Sequence, residues 1–213
     1  LHPVAHSFPT RRSSDLAILL SGSPRSRGNT ARALDIVSGV LRDSGFSVEL
    51  VQLSRLAFGS CIACEKCRRD HACTGLTDEL TPYYESLLAA DLWVLGSPVY
   101  NYNVTSWMKA FLDRLYCFYE FDEHDRHIWS SRLAGMNKRA MTLVVGEQTS
   151  DEDIGFAPEA LRTPLEAHGL RSIGSFVLKG HFEPSSLQEN RTASATLERD
   201  VASAIAGSFG AEL

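Results

Sequence analysis

Short apolar runs alternate with amphipathic segments five times along this chain, and that rhythm leaves few folds open to it. Leu16–Leu20 is a continuous apolar run of the kind a fully buried parallel strand shows, and it ends in the turn Ser21–Thr30 (SGSPRSRGNT). A helix from about Thr30 carries Ala33, Leu34, Val37, Val40 and Leu41 on one face and stops at Gly45. Ser47–Leu53 alternates as a second strand. Thr81-Pro82 opens a helix expected to turn Tyr84, Leu87 and Leu88 inward, and Leu92–Leu95 is a third strand closed by Gly96-Ser97-Pro98. Thr105 or Ser106 caps the next helix. Its Trp107, Met108, Phe111, Leu112 and Leu115 recur at three- and four-residue steps, with Trp107 and Met108 read as core. Ala140–Val145 and Ser172–Leu178 supply two more strands, flanking a helix around Pro158–His168 that ends at Gly169. A last helix spaces Leu197, Val201 and Ile205 four residues apart. The expectation is an α/β protein: five parallel strands with helices on both faces. Right-handed crossovers then put every strand-to-helix loop on the carboxyl edge of the sheet.

Charge and cysteine usage narrow the function classes. The 213 residues carry 21 basic and 26 acidic side chains, a net charge of −5, which argues against a nucleic-acid partner. No apolar run approaches the roughly 18–20 residues a membrane span needs. Four of the five cysteines fall within thirteen residues, which a secreted disulfide scaffold would not do, so a reducing, cytoplasmic setting is expected. At the start of the chain Arg11 and Arg12 follow a weakly apolar stretch instead of preceding an apolar one, so no signal peptide is read there. Ser7–Leu16 resembles the translation of a common sequencing adapter. Leu1–Asp15 is accordingly expected to be an artefactual or disordered tail, and 16–213 a single domain.

Three nucleotide-binding loops compete for the carboxyl edge. No Gly-Lys-Ser or Gly-Lys-Thr exists for a Walker loop. A dinucleotide loop fails as well: the glycines are Gly22 and Gly28, and the second strand ends Val51-Gln52-Leu53 with its acid, Glu49, in mid-strand. What remains is a hydroxyl-rich, doubly basic turn (Ser21, Ser23, Arg25, Ser26, Arg27, Asn29, Thr30) feeding a helix. Free backbone N–H groups, the positive end of the helix and the side-chain donors together suit a terminal phosphate dianion.

Ser21–Thr30, Gly96–Asn103 (GSPVYNYN) and Trp107–Arg114 (WMKAFLDR) together resemble the flavodoxin-like NAD(P)H-dependent FMN reductase family, and the cysteine stretch is similar to the iron–sulfur flavoproteins within it. The resemblance implies a flavodoxin-like three-layer sandwich with strand order 2-1-3-4-5, FMN at the switch point between strands 1 and 3, and a homodimer or homotetramer. Carried over by position, it implies that Ser23, Arg25, Asn29 and Thr30 hold the phosphate. Pro98, Val99, Tyr100, Asn101 and Asn103 would lie along the flavin ring, and Gly146 beneath its pyrimidine end. The sequence departs from the family at Asn101-Tyr102, where relatives often show Trp-Gly. Either Tyr100 or Tyr102 supplies the aromatic face a flavin needs.

Cys61, Cys64, Cys67 and Cys73 form C-x2-C-x2-C-x5-C. Structural zinc sites commonly use two separated cysteine pairs. Three cysteines in seven residues with a fourth beyond is ferredoxin-like spacing and fits a [4Fe–4S] cluster. Zinc and free or redox-active thiols remain the alternatives. Cys117 reads as a small core residue and His71 as a surface one. Phe118–Trp129 reads as a solvated loop with packed aromatics or, functionally, as a lid on the flavin.

The function expected is an FMN-dependent oxidoreductase that passes electrons from NAD(P)H to a small acceptor of the quinone, flavin or nitroaromatic class. The alternative is an iron–sulfur flavoprotein that carries electrons between a ferredoxin-type donor and an acceptor. The flavin performs the chemistry in both, so no catalytic side-chain pair is expected.

Overall fold

The computed structural model describes residues 15–209, so all but the last residue of the expected tail lies outside it. Asp15 is already in register with the sheet: its carbonyl accepts from the Ser47 N–H at 2.9 Å. The main strands are β1 (Leu16–Ser21), β2 (Ser47–Gln52), β3 (Leu92–Pro98), β6 (Arg139–Val145) and β7 (Arg171–Leu178). They form one parallel sheet in the order β2-β1-β3-β6-β7, the flavodoxin-like 2-1-3-4-5. A two-stranded antiparallel hairpin, β4 (Tyr119–Phe121) and β5 (Trp129–Ser131), stands apart from it. The expected solvated loop over Phe118–Trp129 holds for the exposed residues 122–128, while its two ends pair as strands. Asp122 caps the connection, its carboxylate accepting the N–H groups of His124 and Asp125 and fixing the turn.

Both faces of the sheet are covered, as the strands' continuous apolar character requires. Ala17 and Leu19 point to one side with Leu92, Val94, Met141 and Leu143, under α1 (Asn29–Asp43) and α8 (Arg191–Phe209). Ile18 and Leu20 point to the other with Trp93 and Leu95. There they meet α3 (Tyr83–Ala89), α4 (Ser106–Arg114) and α6 (Ala157–Ala167). Each fully buried leucine or isoleucine contributes about 1.5–3 kcal/mol. Three expectations are corrected. Leu88 is exposed, because α3 is only two turns long and commits Leu87 to the core. Trp107 is only partly buried, at the margin of the core that encloses Met108. β3 runs on through Gly96-Ser97-Pro98, since the pairing with β6 continues to Pro98 and Val145. The short helices α2 (Cys67–Asp70), α5 (Asp151–Ile154) and α7 (Ser186–Glu189) have no readable periodicity at four residues each.

His168, at the end of α6, is buried, stacked on Tyr119 with centroids 4.1 Å apart, its Nδ1 3.0 Å from Ser131 Oγ. Burial pushes the imidazole down to about 4 from an ordinary 6.5. The unfolded chain therefore takes a proton that the folded chain refuses. Stability is full above 6.5 and falls as the pH drops toward 4, by about 2 kcal/mol between roughly pH 7.5 and 5. Urea unfolding of His168→Gln should show this segment of the pH curve flattened; an unchanged slope would assign the acid sensitivity elsewhere.

Candidate functional site

Three loops leave the carboxyl ends of β1, β3 and β6 and meet where the strand order reverses. The first, residues 22–28, is held by backbone and hydroxyl bonds. Gly22 N–H donates to the Gly96 carbonyl at 2.8 Å, and Thr105 Oγ1 donates to the Gly22 carbonyl at 2.7 Å. The same hydroxyl caps α4 by accepting the Met108 N–H, so one side chain fixes the first loop to the second. A Cβ at Gly22 would stand 2.9 Å from Met108 Cβ, which is why the approach needs glycine. Ser23 Oγ accepts the Arg25 N–H at 3.1 Å and shapes the turn from within.

No side chain caps the start of α1, whose N-cap is Gly28. Its first N–H groups are left for an outside acceptor, and they open into a cleft of about 570 Å³. Seven expected residues line that cleft: Ser23, Arg25, Asn29, Thr30, Pro98, Val99 and Tyr100. The Asn29 carboxamide is turned away from it. Its Nδ2 donates to the carbonyls of His181 and Glu183 at 3.1 and 2.7 Å, and its Oδ1 accepts the Leu187 N–H at 3.1 Å. Asn29 therefore pins the segment after β7 and offers the cleft its backbone N–H.

A second cleft, about 830 Å³, adjoins the first through Val99 and Glu147, and Asn101, Tyr102 and Gly146 lie along it. Tyr100 and Asn103 exchange backbone bonds of 2.7 and 3.1 Å around a two-residue turn. Both central residues are left-handed, Asn101 at φ +49° and Tyr102 at φ +64°. Asparagine tolerates that region, but tyrosine does so only at a cost of about 1–3 kcal/mol. This is the position where the family often shows glycine, so the departure places a strained aromatic on the cleft wall. Tyr102 is half-exposed there, while Tyr100 belongs to the first cleft. Asn103 lines neither cleft; its Oδ1 accepts the Val104 N–H at 2.8 Å and holds the turn.

Gly146 N–H donates to Leu178, and its carbonyl accepts from His181, clamping the third loop onto β7. Sequence reading missed Gly155, at φ +61°, where a Cβ would lie 2.4 Å from the Tyr102 carbonyl. It also missed Glu147, His181, Phe182 and Pro184 on the first cleft. The available signal was topological: Gly180-His181 follows the fifth parallel strand and so returns to the same edge.

The cysteine segment leaves β2 on that edge too. Cys61, Cys64, Cys67 and Cys73 line one cavity, and Cys117, buried in the core as expected, lines it as well. Burial, then the neighbouring Cys73 and Cys61 thiols, push the Cys67 thiol up. Burial first, then the Cys73 and Cys67 thiols, push Cys117 up to about 12. Ala63 and Glu65 are left-handed at φ +52° and +55°, a turn geometry that presents successive N–H groups to an anion or cluster. A Cβ at Gly75 would fall 2.2 Å from Cys64 Sγ, so that glycine makes room for the sulfur. The donor set, four thiols around one cavity, fits an iron–sulfur cluster. Among the described residues the side chains do not stand preformed for a metal ion.

Arg114, its side chain wholly buried, forms the floor of this cavity. Its Nη1 donates to Asp78 Oδ2 at 2.7 Å and to the Gly59 carbonyl at 2.9 Å, closing the loop at its base. Burial would raise the Asp78 carboxyl, but Arg114 and the Gly59 N–H outweigh it and hold it below its ordinary value. The β4–β5 hairpin packs on the cysteine segment. Arg126 meets Glu65 at 2.6 Å, Arg68 stacks over Phe121 at 4.9 Å, and exposed His71 lies 3.6 Å from Glu120. The hairpin meets the cysteine segment through these side chains and lines neither of the paired clefts, so it does not stand as a lid over them.

The chain is similar to several known proteins. The iron-sulfur flavoprotein of Archaeoglobus fulgidus is 36% identical over 99 residues, 46% of this chain and 44% of that protein. That of Methanosarcina thermophila is 33% identical over 95 residues, 45% of this chain and 49% of its own. The chain thus spans about half the length of the curated relatives it matches. In fold it is similar to the NAD(P)H:quinone oxidoreductase from Methanothermobacter marburgensis, with TM-score 0.66 and 18% identity over 89% of this chain and 98% of that one. An FMN-dependent NADH-azoreductase from Bacillus anthracis in complex with FMN gives TM-score 0.60 and 12% identity, covering 89% and 98%. The model of the NADPH-dependent FMN reductase family matches residues 16–178. With three loops of the expected type meeting at the switch point of a 2-1-3-4-5 sheet, this chain belongs to the NADPH-dependent FMN reductase family.

Proposed function

We propose that the chain is an FMN-dependent oxidoreductase that takes electrons from NAD(P)H and delivers them to a small acceptor of the quinone, flavin or nitroaromatic class. The observation that carries this reading is the pair of adjoining clefts at the switch point, one lined by backbone and basic donors, the other by an aromatic wall. When bound, FMN supplies the hydride and electron chemistry. The chain's own residues bind and orient. The α1 N-terminus, Ser23, Thr30 and Arg25 hold the phosphate; Tyr102 offers its ring face; Gly146 and Val99 shape the floor. The same clustering of free thiols supports a cytoplasmic setting, and family resemblance supports a homodimer or homotetramer. Among the described residues no helix is long and apolar enough to cross a membrane.

Arg25→Ala removes one charge-assisted contact and should weaken FMN binding about 10- to 150-fold with the fold intact. Fluorescence titration reads it, and unchanged affinity would remove Arg25 from the site. Asn29→Ala should instead loosen the segment 181–187 and lower the melting temperature.

A second reading is favoured by the thiol-lined cavity on the same edge: an iron–sulfur flavoprotein relaying electrons from a ferredoxin-type donor. Anaerobic stopped-flow at the flavin bands separates the two. Rapid bleaching by NADPH supports the reductase; bleaching only by a reduced ferredoxin supports the carrier and overturns the first reading.

A further inference from the structure

His181 lies where the segment after β7 crosses the first cleft, and no part of the flavin reading above uses it. Its backbone is fixed twice: the N–H donates to the Gly146 carbonyl at 3.0 Å, and its carbonyl accepts from Asn29 Nδ2 at 3.1 Å. Its ring is fixed once, Nδ1 standing 3.2 Å from Ser186 Oγ, a hydroxyl that Asn29 Nδ2 also holds at 3.2 Å. Nε2 has no partner among the described residues, yet it is not among the sealed, unpartnered nitrogens of the protein. It therefore reaches solvent, and the space that this otherwise buried residue lines is the cleft shared with Ser23, Arg25 and Thr30. We propose that His181 is a binding residue for a phosphate monoester in this cleft, taking up a proton when the dianion enters and donating its Nε2–H to it. The proposal rests on the phosphate being that of FMN only for the identity of the ligand; the chemistry is that of any phosphate dianion.

The charges around the ring agree. Arg25 of the first loop and Glu147 of the loop after β6 line the same cleft. On its own segment Lys179 is paired with Asp151 at 3.0 Å, and Glu183 contributes its carbonyl to Asn29. On α7, Glu189 is bonded to Ser185. Burial in the free protein disfavours the imidazolium. An entering dianion reverses that balance, because it adds two negative charges within hydrogen-bond reach of Nε2. Ligand binding and proton uptake are then one linked event.

Calorimetry of FMN binding near neutral pH, in two buffers of different ionisation enthalpy, tests it. Above about pH 7 the phosphate is already largely dianionic, so uptake reports the protein. The intact chain should take up about half a proton or more per FMN, and affinity should fall by up to about tenfold per pH unit as the pH is raised. Riboflavin should show no uptake. In His181→Gln the uptake should vanish while FMN still binds. Uptake retained in His181→Gln, or absent in the intact chain, overturns the proposal. A measurement on the unaltered protein guards against a variant that fails to fold: the NMR signal of the His181 ring should move to its imidazolium position when inorganic phosphate is added. A ring that stays neutral also overturns it. If FMN fails to bind but inorganic phosphate binds with His181-dependent uptake, the flavin reading falls and the histidine assignment stands. If neither binds, both fall.

Discussion

Cys64→Ser should empty the cysteine cavity of iron, from about four atoms per chain in anaerobically prepared protein to close to none, while FMN stays bound. The argument is one of position. Cys64 stands between Cys61 and Cys67 in the motif, and its sulfur is seated against Gly75 in the same cavity. The flavin clefts are lined from β1, β3, β6 and β7 and take nothing from residues 61–73. Thiols packed this closely repel one another when ionised, and Cys67 is raised by burial first and then by its neighbours. A bound metal relieves that repulsion. Iron analysis and the visible shoulder beyond the flavin bands read the result. Iron-free intact protein from an iron-replete, anaerobic preparation, with full flavin-dependent NADPH oxidation, would remove the cluster and leave the reductase. Zinc in its place would satisfy the charge but carry no electrons.

The second large effect lies beneath that cavity. Arg114→Met should destabilise the protein by about 3 kcal/mol, because it strips the part-buried Asp78 carboxylate and the Gly59 carbonyl of the buried guanidinium that holds them. Urea unfolding reads the loss, and limited proteolysis should cut first within residues 60–76, whose base the ion pair closes. A loss under about 1 kcal/mol would show that the pair contributes only what an exposed one does. Replacing both partners, Asp78→Leu with Arg114→Met, should recover part of the loss, since no charge is then left alone.

The layered sheet was legible in the sequence because its strands are short, fully apolar and separated by strongly amphipathic helices. Leu16–Leu20 and Ala140–Val145 leave no other reading, and the strand order followed from the family's loops. The polar turn at Ser23, Arg25 and Thr30 was legible from its hydroxyls and basic side chains after a buried strand, whereas the residues of the second and third loops followed only from the resemblance. The fate of Asn29 was not legible. Its carboxamide is taken by a segment more than 150 positions later in the chain, a tertiary bond that no local pattern encodes. The β4–β5 hairpin was missed because three-residue strands fall below any periodicity, and its aromatics pack on one another and on His168. Cys117, read as a small core residue, is one. Only the fold shows that it and Arg114 also line the thiol cavity.

The central claim is that the paired clefts at the carboxyl edge hold FMN by its phosphate, and a fluorescence titration of the refolded or apo protein with FMN and with riboflavin tests it most directly. The account predicts saturation at one FMN per chain, with riboflavin bound at least about 100-fold more weakly, since the donors of residues 22–30 would then meet no charge. Equal affinity for the two flavins, or no saturable binding of either, would contradict it.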